Sequence, residues 1–229
     1  ALDPQNSKAE YLLAALTDET TEVPPEGFVE QVFDEHAAVF EKRMTQGDSH
    51  LPQICRSTAA RILAQRGTDA ARPFPNTLDL GCGTGRAGVE FRDVTDTLHG
   101  VDLSLKMMDQ AVDKGVYDAL FQADFIDFLK QTTDSYDLVL SVDSFLYIGP
   151  LEAVFAGVAR VLNPGGSFAF TVEALDSGDF ALRDTCHHAH GEEYVRRLAA
   201  ENHLNVVLCE PIDNMRFAIK GTLFWLEKS

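Results

Sequence analysis

Three glycines at alternate positions, directly after a short apolar run, constrain this chain more than anything else in it. The run is Asn76-Thr-Leu-Asp-Leu80, in which Leu78 and Leu80 flank Asp79, and it empties into Gly81-Cys-Gly-Thr-Gly85. A short apolar run bounded by turn residues reads as a buried strand. Glycines let the backbone turn tightly and let a ligand approach it closely. The helix expected next offers free N–H groups in its first turn. Strand, glycine loop and helix together predict a nucleotide-like ligand above a strand end.

The spacing narrows the ligand. A dinucleotide loop has its third glycine three residues after the second, where this chain has Arg86. Asp79-Leu-Gly-Cys-Gly-Thr-Gly85 instead resembles motif I of the class I S-adenosylmethionine (SAM) dependent methyltransferases. The resemblance implies an α/β, Rossmann-like, doubly wound sheet of mostly parallel strands with a final antiparallel strand and N-terminal helices, and SAM as cofactor, held by Asp79, Gly81, Cys82, Gly83, Thr84 and Gly85. Charge agrees with it. A pyrophosphate disfavours a nearby acid, whereas the ammonium and sulfonium of SAM are favoured by one such as Asp79. Arg86 in place of glycine argues against a nicotinamide-dependent oxidoreductase.

Two further acids fall in order. Leu98-His-Gly-Val-Asp-Leu103 reads as a second strand, with Ser104 capping a helix that carries Leu105, Met108, Ala111 and Val112 on one face. An acid at the end of strand two, about 20 residues past the loop, is placed to hold a ribose diol, so Asp102 is the expected ribose ligand, with Leu103 and Met107 beside it. In the methyltransferase pattern a third acid follows strand three. Ala119-Leu-Phe-Gln-Ala-Asp124-Phe125 supplies it, Asp124 being expected at the adenine amino group with Phe125 alongside. Strand four is Tyr136-Asp-Leu-Val-Leu-Ser-Val-Asp143, whose end, with Ser141, is expected under the donor methyl.

With 229 residues, 45% of them hydrophobic, the chain suffices for one well-buried domain and an additional helical segment. No run approaches the ~20 apolar residues of a membrane span, and the opening residues lack a signal-peptide layout. The expectation is a soluble, cytoplasmic protein. Cys55, Cys82, Cys186 and Cys209 are too scattered for a disulfide framework or a thiol zinc site. With 36 acids against 19 bases the net charge is −17, which repels a polyanion at long range. The expected partner is a small-molecule substrate, with no nucleic acid and no membrane.

Pro24-Pro25-Glu-Gly27 is a breaker and divides residues 1–27, a helix and linker, from the methyltransferase domain at 28–229. The Asp3-Pro4 turn and the helix after it resemble the end of a tetratricopeptide repeat, a reading that stands beside an ordinary N-terminal helix. Phe28, Val32, Phe33, Ala37, Phe40 and Met44 recur at helical spacing. In SAM methyltransferases a helix before motif I covers the donor, and Phe33-Asp-Glu-His-Ala37 resembles that segment, with His36 where a tyrosine is usual. Residues 51–63 form a scaffold helix.

After strand four, Ser144-Phe-Leu-Tyr-Ile148 is expected as a loop at the mouth of the site, Pro150 as a helix start, Asn163-Pro-Gly-Gly166 as a turn and Ser167–Val172 as strand five. Residues 173–184 read as an irregular, substrate-side loop. Three histidines follow in Arg183-Asp-Thr-Cys-His-His-Ala-His190. No downstream ligand pair completes a metal site, so none is assigned. His190, before the helix 192–202, is instead the candidate base, because related methyltransferases carry a histidine there. A surface or capping role is the other reading of it. Leu204–Glu210 and Gly221–Glu227 close the chain as strands, the last antiparallel. The implied reaction is methyl transfer from SAM to an oxygen or nitrogen of a small acceptor, with His190 or His36 as base. The rivals are a non-catalytic SAM-binding module and a protein methyltransferase.

Overall fold

A computed structural model describes residues 7–17, 21–46, 50–68, 70–216 and 219–229. The expected turn at Asp3-Pro4 lies outside them. The chain runs α1 (Ser7–Leu16), α2 (Phe28–Gln46), α3 (Leu51–Gln65), β1 (Asn76–Leu80), α4 (Arg86–Phe91), β2 (Thr97–Asp102), α5 (Leu105–Lys114), β3 (Ala119–Gln122), α6 (Phe125–Gln131) and β4 (Tyr136–Ser141). It continues with α7 (Glu152–Val161), β5 (Leu162–Leu175), β6 (Phe180–Leu182), β7 (His188–Gly191), α8 (Glu192–Glu201), β8 (Leu204–Arg216) and β9 (Ile219–Lys228).

The strands form a single sheet in the order β3-β2-β1-β4-β5-β7-β6, with β9 beside β5 and β8 beside β9. The register places Asp79 of β1 opposite Gly100 of β2 and Leu140 of β4, all parallel. Strand β9 is antiparallel to β5, Phe168 facing Leu226. Leu138 and Leu140 pack with Leu51, Cys55, Ala59 and Trp225 on one face of the sheet, while Val139 packs with Leu78, Leu80, Phe155 and Phe168 on the other. Alternate residues of β4 thus serve opposite cores, as a sheet covered on both faces requires. Each buried leucine contributes about 1.5–3 kcal/mol. The strand order reverses between β1 and β4, so the crevice above their carboxyl ends is where such a sheet takes a ligand.

One expected turn is found inside the bounds of a strand, and three other expectations are corrected. The expected turn at Asn163–Gly166 falls inside the bounds of β5 but outside its pairing: Leu162 faces Tyr136 and Ser167 faces Leu138, so the four residues between bulge out, with Gly165 at a φ of 76°. The bend is absorbed as an irregularity in the ladder. Residues 173–184, expected to be irregular, begin with the end of β5 and include β6. The histidine segment is not a loop either. His188–Gly191 is strand β7, Ala189 facing Glu173 of β5, held by tertiary pairing that overrides a weak local propensity. Finally, α7 starts at Glu152 with Leu151 as its cap, two residues beyond Pro150.

Residues before Gly27 pack onto the main fold. Tyr11 of α1 is 2% exposed, its ring 5.1 Å from Phe28, and its hydroxyl donates to Cys186 O at 3.2 Å. Gly149 N–H donates to Glu22 O at 3.0 Å. Among the described residues no helix is long and apolar enough to cross a membrane.

Candidate functional site

A cavity of about 610 Å³ opens above the carboxyl ends of β1, β2 and β4. Its floor is the glycine loop. Gly81 has a φ of 70°, and a Cβ there would fall 1.9 Å from Ser144 Oγ. Gly83 has a φ of 52°, with nothing within 4 Å of the corresponding position. The first glycine is therefore needed for packing. The second leaves backbone open to whatever fills the cavity. Gly85 caps α4 at a φ of 83°, against Tyr117 and Ala111.

Asp102 closes one side. Its Oδ2 accepts from Gly83 N–H at 2.8 Å and its Oδ1 from Ser104 N–H at 2.9 Å. With a third backbone bond from Leu103, these donors fix the carboxylate in place on the cavity wall, where it can receive a diol. Burial raises its pKa, against the lowering effect of these backbone donors. Asp124 caps α6, its Oδ1 accepting from Ile126 N–H at 2.8 Å and Asp127 N–H at 3.1 Å. Phe125 stands next to it on the wall, as do Cys82, Thr84, Leu103 and Met107. Asp79 lines the cavity too. It is 1% exposed and accepts from the Tyr117 hydroxyl at 2.7 Å. Burial pushes it up to about 7, the Tyr117 bond lowering it and nearby Asp102 raising it.

Helix α2 roofs the donor loops and is tied to them by side chains. Asp34 Oδ1 accepts from Ser104 Oγ at 2.6 Å, and Glu41 Oε1 accepts from Thr84 Oγ1 and Lys114 Nζ, each at 2.5 Å. Gln110 Nε2 donates to Ala37 O at 2.6 Å. From α2, Phe33 and Phe40 face the cavity, and Phe33 meets Tyr147 edge to face at 5.1 Å. Beyond them the linker Val23–Gly27 closes the far side. Asp143, just past β4, completes the wall in a left-handed conformation, φ 59°, its N–H donating to Thr171 Oγ1 at 2.9 Å. Strain of this kind in a non-glycine residue costs about 1–3 kcal/mol and gathers at functional sites.

The structure brings most of the expected donor residues together. Ser141 and Gly85 are exceptions. The Ser141 side chain is fully buried and donates to Leu80 O at 3.1 Å, which ties β4 to β1, and neither residue is on the cavity wall. The two expected bases are also elsewhere. His190 is 2% exposed within the sheet, its Nε2 at 2.9 Å from the carbonyls of both Ile148 and Gly149. Two carbonyl partners make that nitrogen a donor. Burial lowers its pKa to about 4, and His188 lowers it further against the raising effect of the carbonyls. A buried donor away from the cavity is not a base for a bound acceptor. His36 faces back along α2, Nδ1 donating to Val32 O at 2.6 Å, and is not on the wall. Asp143 and Tyr147 stand on the wall in the strand-four end and the following loop that the sequence places at the site, though neither was singled out, and the Val23–Gly27 closure was not foreseen. The only signals were the loop expected after β4 and the Pro-Pro-Glu-Gly breaker.

Seven carboxyl side chains and one basic one, Arg86, line the cavity, which favours a cationic ligand. Among the described residues no group of three or more His, Cys, Asp or Glu is arranged to hold a metal. The open face at Gly83, the fixed carboxylate of Asp102 and the single engaged oxygen of Asp124 fit the adenosine and charged ends of SAM.

Comparison with known proteins agrees. Residues 77–166 match the family described as "Methyltransferase domain". The chain is 31% identical over 135 residues to malonyl-[acyl-carrier protein] O-methyltransferase of Salmonella typhimurium, covering 59% of this chain and 52% of that protein. It spans about half the length of the curated relatives it matches. In structure it resembles magnesium protoporphyrin IX methyltransferase of Synechocystis with bound SAM, at a TM-score of 0.66 and 17% identity over 88% of this chain and 95% of that one. The [4+2]-cyclase SpnF matches at a TM-score of 0.68 and 14% identity, over 91% and 98% of the two chains.

Proposed function

We propose that this chain, which carries a methyltransferase domain of the class I, SAM-dependent family, transfers the methyl group of SAM to an oxygen or nitrogen of a small-molecule acceptor. The observation that carries this reading is the single cavity wall formed by Gly83, Asp102 and Asp124 at the ends of three adjacent parallel strands. SAM supplies a methyl group on positively charged sulfur, already activated for displacement. The protein's own contribution is placement. Asp102 and Asp124 set the depth and rotation of the nucleoside, the glycine loop lets it lie against backbone, and Asp79 and its neighbours favour the positive charge. Helix α2 and the Val23–Gly27 linker exclude water from the end where an acceptor meets the methyl. Orientation of this kind is worth effective molarities of ~10⁵–10⁸ M.

The acceptor end is aromatic and acidic, with Phe33, Phe40, Tyr147, Asp143 and Glu30 on its wall. A ring-bearing or cationic acceptor suits these groups better than a polyanion. The described cysteines are free thiols, in keeping with a reducing compartment, and we place the protein in the cytoplasm. A second reading, a SAM-binding protein that uses this fold for other chemistry, is favoured by the likeness to a cyclase. Incubation with SAM labelled in its methyl group and a deproteinised cell extract separates the two. Label entering small molecules, with stoichiometric demethylated product, is the expected result. Label that stays in SAM despite tight binding would favour the second reading, and label in added protein fractions alone would move the acceptor to a protein.

A further inference from the structure

Behind the acceptor wall stands a row of three titratable side chains that the cofactor site leaves unused. Tyr147 faces the cavity. Its hydroxyl lies 3.4 Å from Nε2 of His187, and the two rings meet edge to face with centroids 5.3 Å apart. On the other side of the imidazole, Nδ1 lies 3.8 Å from Oε2 of Glu173. Neither His187 nor Glu173 is on the cavity wall, and their side chains are 15% and 8% exposed. Glu173 belongs to β5, between β9 and β7, where it pairs with Gly221 and Ala189. Its Oε2 makes no hydrogen bond among the described residues, and Arg183 Nε is 4.0 Å from Oε1. Burial pushes this carboxyl up to about 7, with Arg183 lowering it and Asp184 raising it. A carboxylate kept out of water beside a histidine costs stability, and shifted groups of this kind gather at functional sites.

We propose that Tyr147, His187 and Glu173 form a relay that removes the acceptor's proton during methyl transfer, with Tyr147 as the catalytic residue that touches the acceptor and the other two as positioning and proton-holding residues. The inference rests on the methyl-transfer reading. A neutral acceptor X–H gives its proton to Tyr147 Oη while Tyr147 passes its own proton to His187 Nε2. The X–C bond forms as the S–C bond breaks, its electron pair remaining on sulfur. The imidazolium is then held by the Glu173 carboxylate until the proton is lost to solvent after product release. The relay needs His187 protonated on Nδ1 beforehand, the tautomer that a carboxylate beside Nδ1 selects. The present separations are long for hydrogen bonds. Catalytic contacts commonly tighten only when substrate is bound.

The test uses the full chain and three variants, Tyr147→Phe, His187→Gln and Glu173→Gln. NMR titration of the histidine rings, with His187 assigned by its loss in His187→Gln, is expected to show its pKa falling by about one unit in Glu173→Gln. Transfer of labelled methyl from SAM into a deproteinised extract is expected to fall about 100-fold in Tyr147→Phe and in His187→Gln, and no further in the double variant. SAM affinity, measured by calorimetry, should stay within about twofold, which also reports that the variants fold. An unchanged His187 titration in Glu173→Gln, or transfer at the wild-type rate in His187→Gln, overturns the relay. A wild-type protein that binds SAM but labels nothing overturns the methyl-transfer reading and the relay's task with it. In that case the NMR titration still reports separately whether the groups are coupled.

Discussion

The two ends of the cavity are built in different ways. The donor end uses backbone and short side chains at the ends of β1, β2 and β3, each within a few residues of its strand, so the parallel register alone aligns Gly83, Asp102 and Asp124. The acceptor end is assembled from pieces far apart in sequence: Val23–Gly27, Phe33 and Phe40 of α2, and Tyr147 after β4. It is supported from behind by His187 and Glu173. A site made by local turns on a rigid sheet tolerates little change. One made of packed loops and a helix can be rebuilt for a new acceptor while the sheet stays as it is.

Substitutions at the donor end should have the larger effects. Asp79 is the strongest case. Its pKa of about 7 lies above the usual carboxylate value of 3.8, so the folded state holds a proton that the unfolded chain has released between about pH 4 and 7. Its contribution is fully favourable below pH ~4 and is lost as pH rises through 7. Asp79→Asn should therefore match wild type in stability near pH 4 and exceed it by about 4 kcal/mol near pH 8, as read by denaturant unfolding at both values. His190, depressed to about 4, acts oppositely in both proteins, stabilising above pH ~6.5 and losing that contribution as pH falls towards 4, so it cancels from the difference.

The glycines separate shape from ligand space. Gly81→Ala forces a methyl group to within 1.9 Å of Ser144 Oγ at a positive φ, and should lower stability by about 3 kcal/mol on thermal unfolding. Gly83→Ala has room in the protein and should cost about 1 kcal/mol of stability, while SAM binding, measured by calorimetry, weakens about tenfold. Equal stability losses at the two positions would erase the distinction. The smallest effect belongs to the roof. Burial tends to raise Glu41, but its bonds to Lys114 and Thr84 hold it below the usual value. Glu41→Gln should raise KM for SAM about threefold and change stability by less than about 1 kcal/mol, since the pair is partly exposed.

The same contrast explains what was legible in the sequence. Gly81, Gly83 and Asp102 are legible because each belongs to a local pattern at the end of an apolar run, and Asp124 because the methyltransferase resemblance implies an acid after strand three. The parallel sheet followed from those runs, with β9 identified as antiparallel from its alternation. The direction of β4 is readable in the sequence and the direction of the Ser141 side chain is not; its hydroxyl ties β4 to β1 instead of reaching the cavity. His-Ala-His-Gly carries no strand signature and so reads as loop, and only the pairing of this segment with β5 and β6 makes it a strand. The Val23–Gly27 segment read as a hinge, since nothing in its composition says that it closes a cavity more than 50 residues away in sequence.

The measurement that bears most directly on the donor site is calorimetric titration of the folded protein with SAM, with its demethylated product and with NADH, repeated on Asp102→Ala. Micromolar binding of SAM and product, about −8 kcal/mol, weakened 10- to 100-fold by the loss of charged hydrogen bonds in Asp102→Ala, is the predicted result. Folded protein that binds neither, or that prefers NADH, would contradict the assignment of this cavity to SAM.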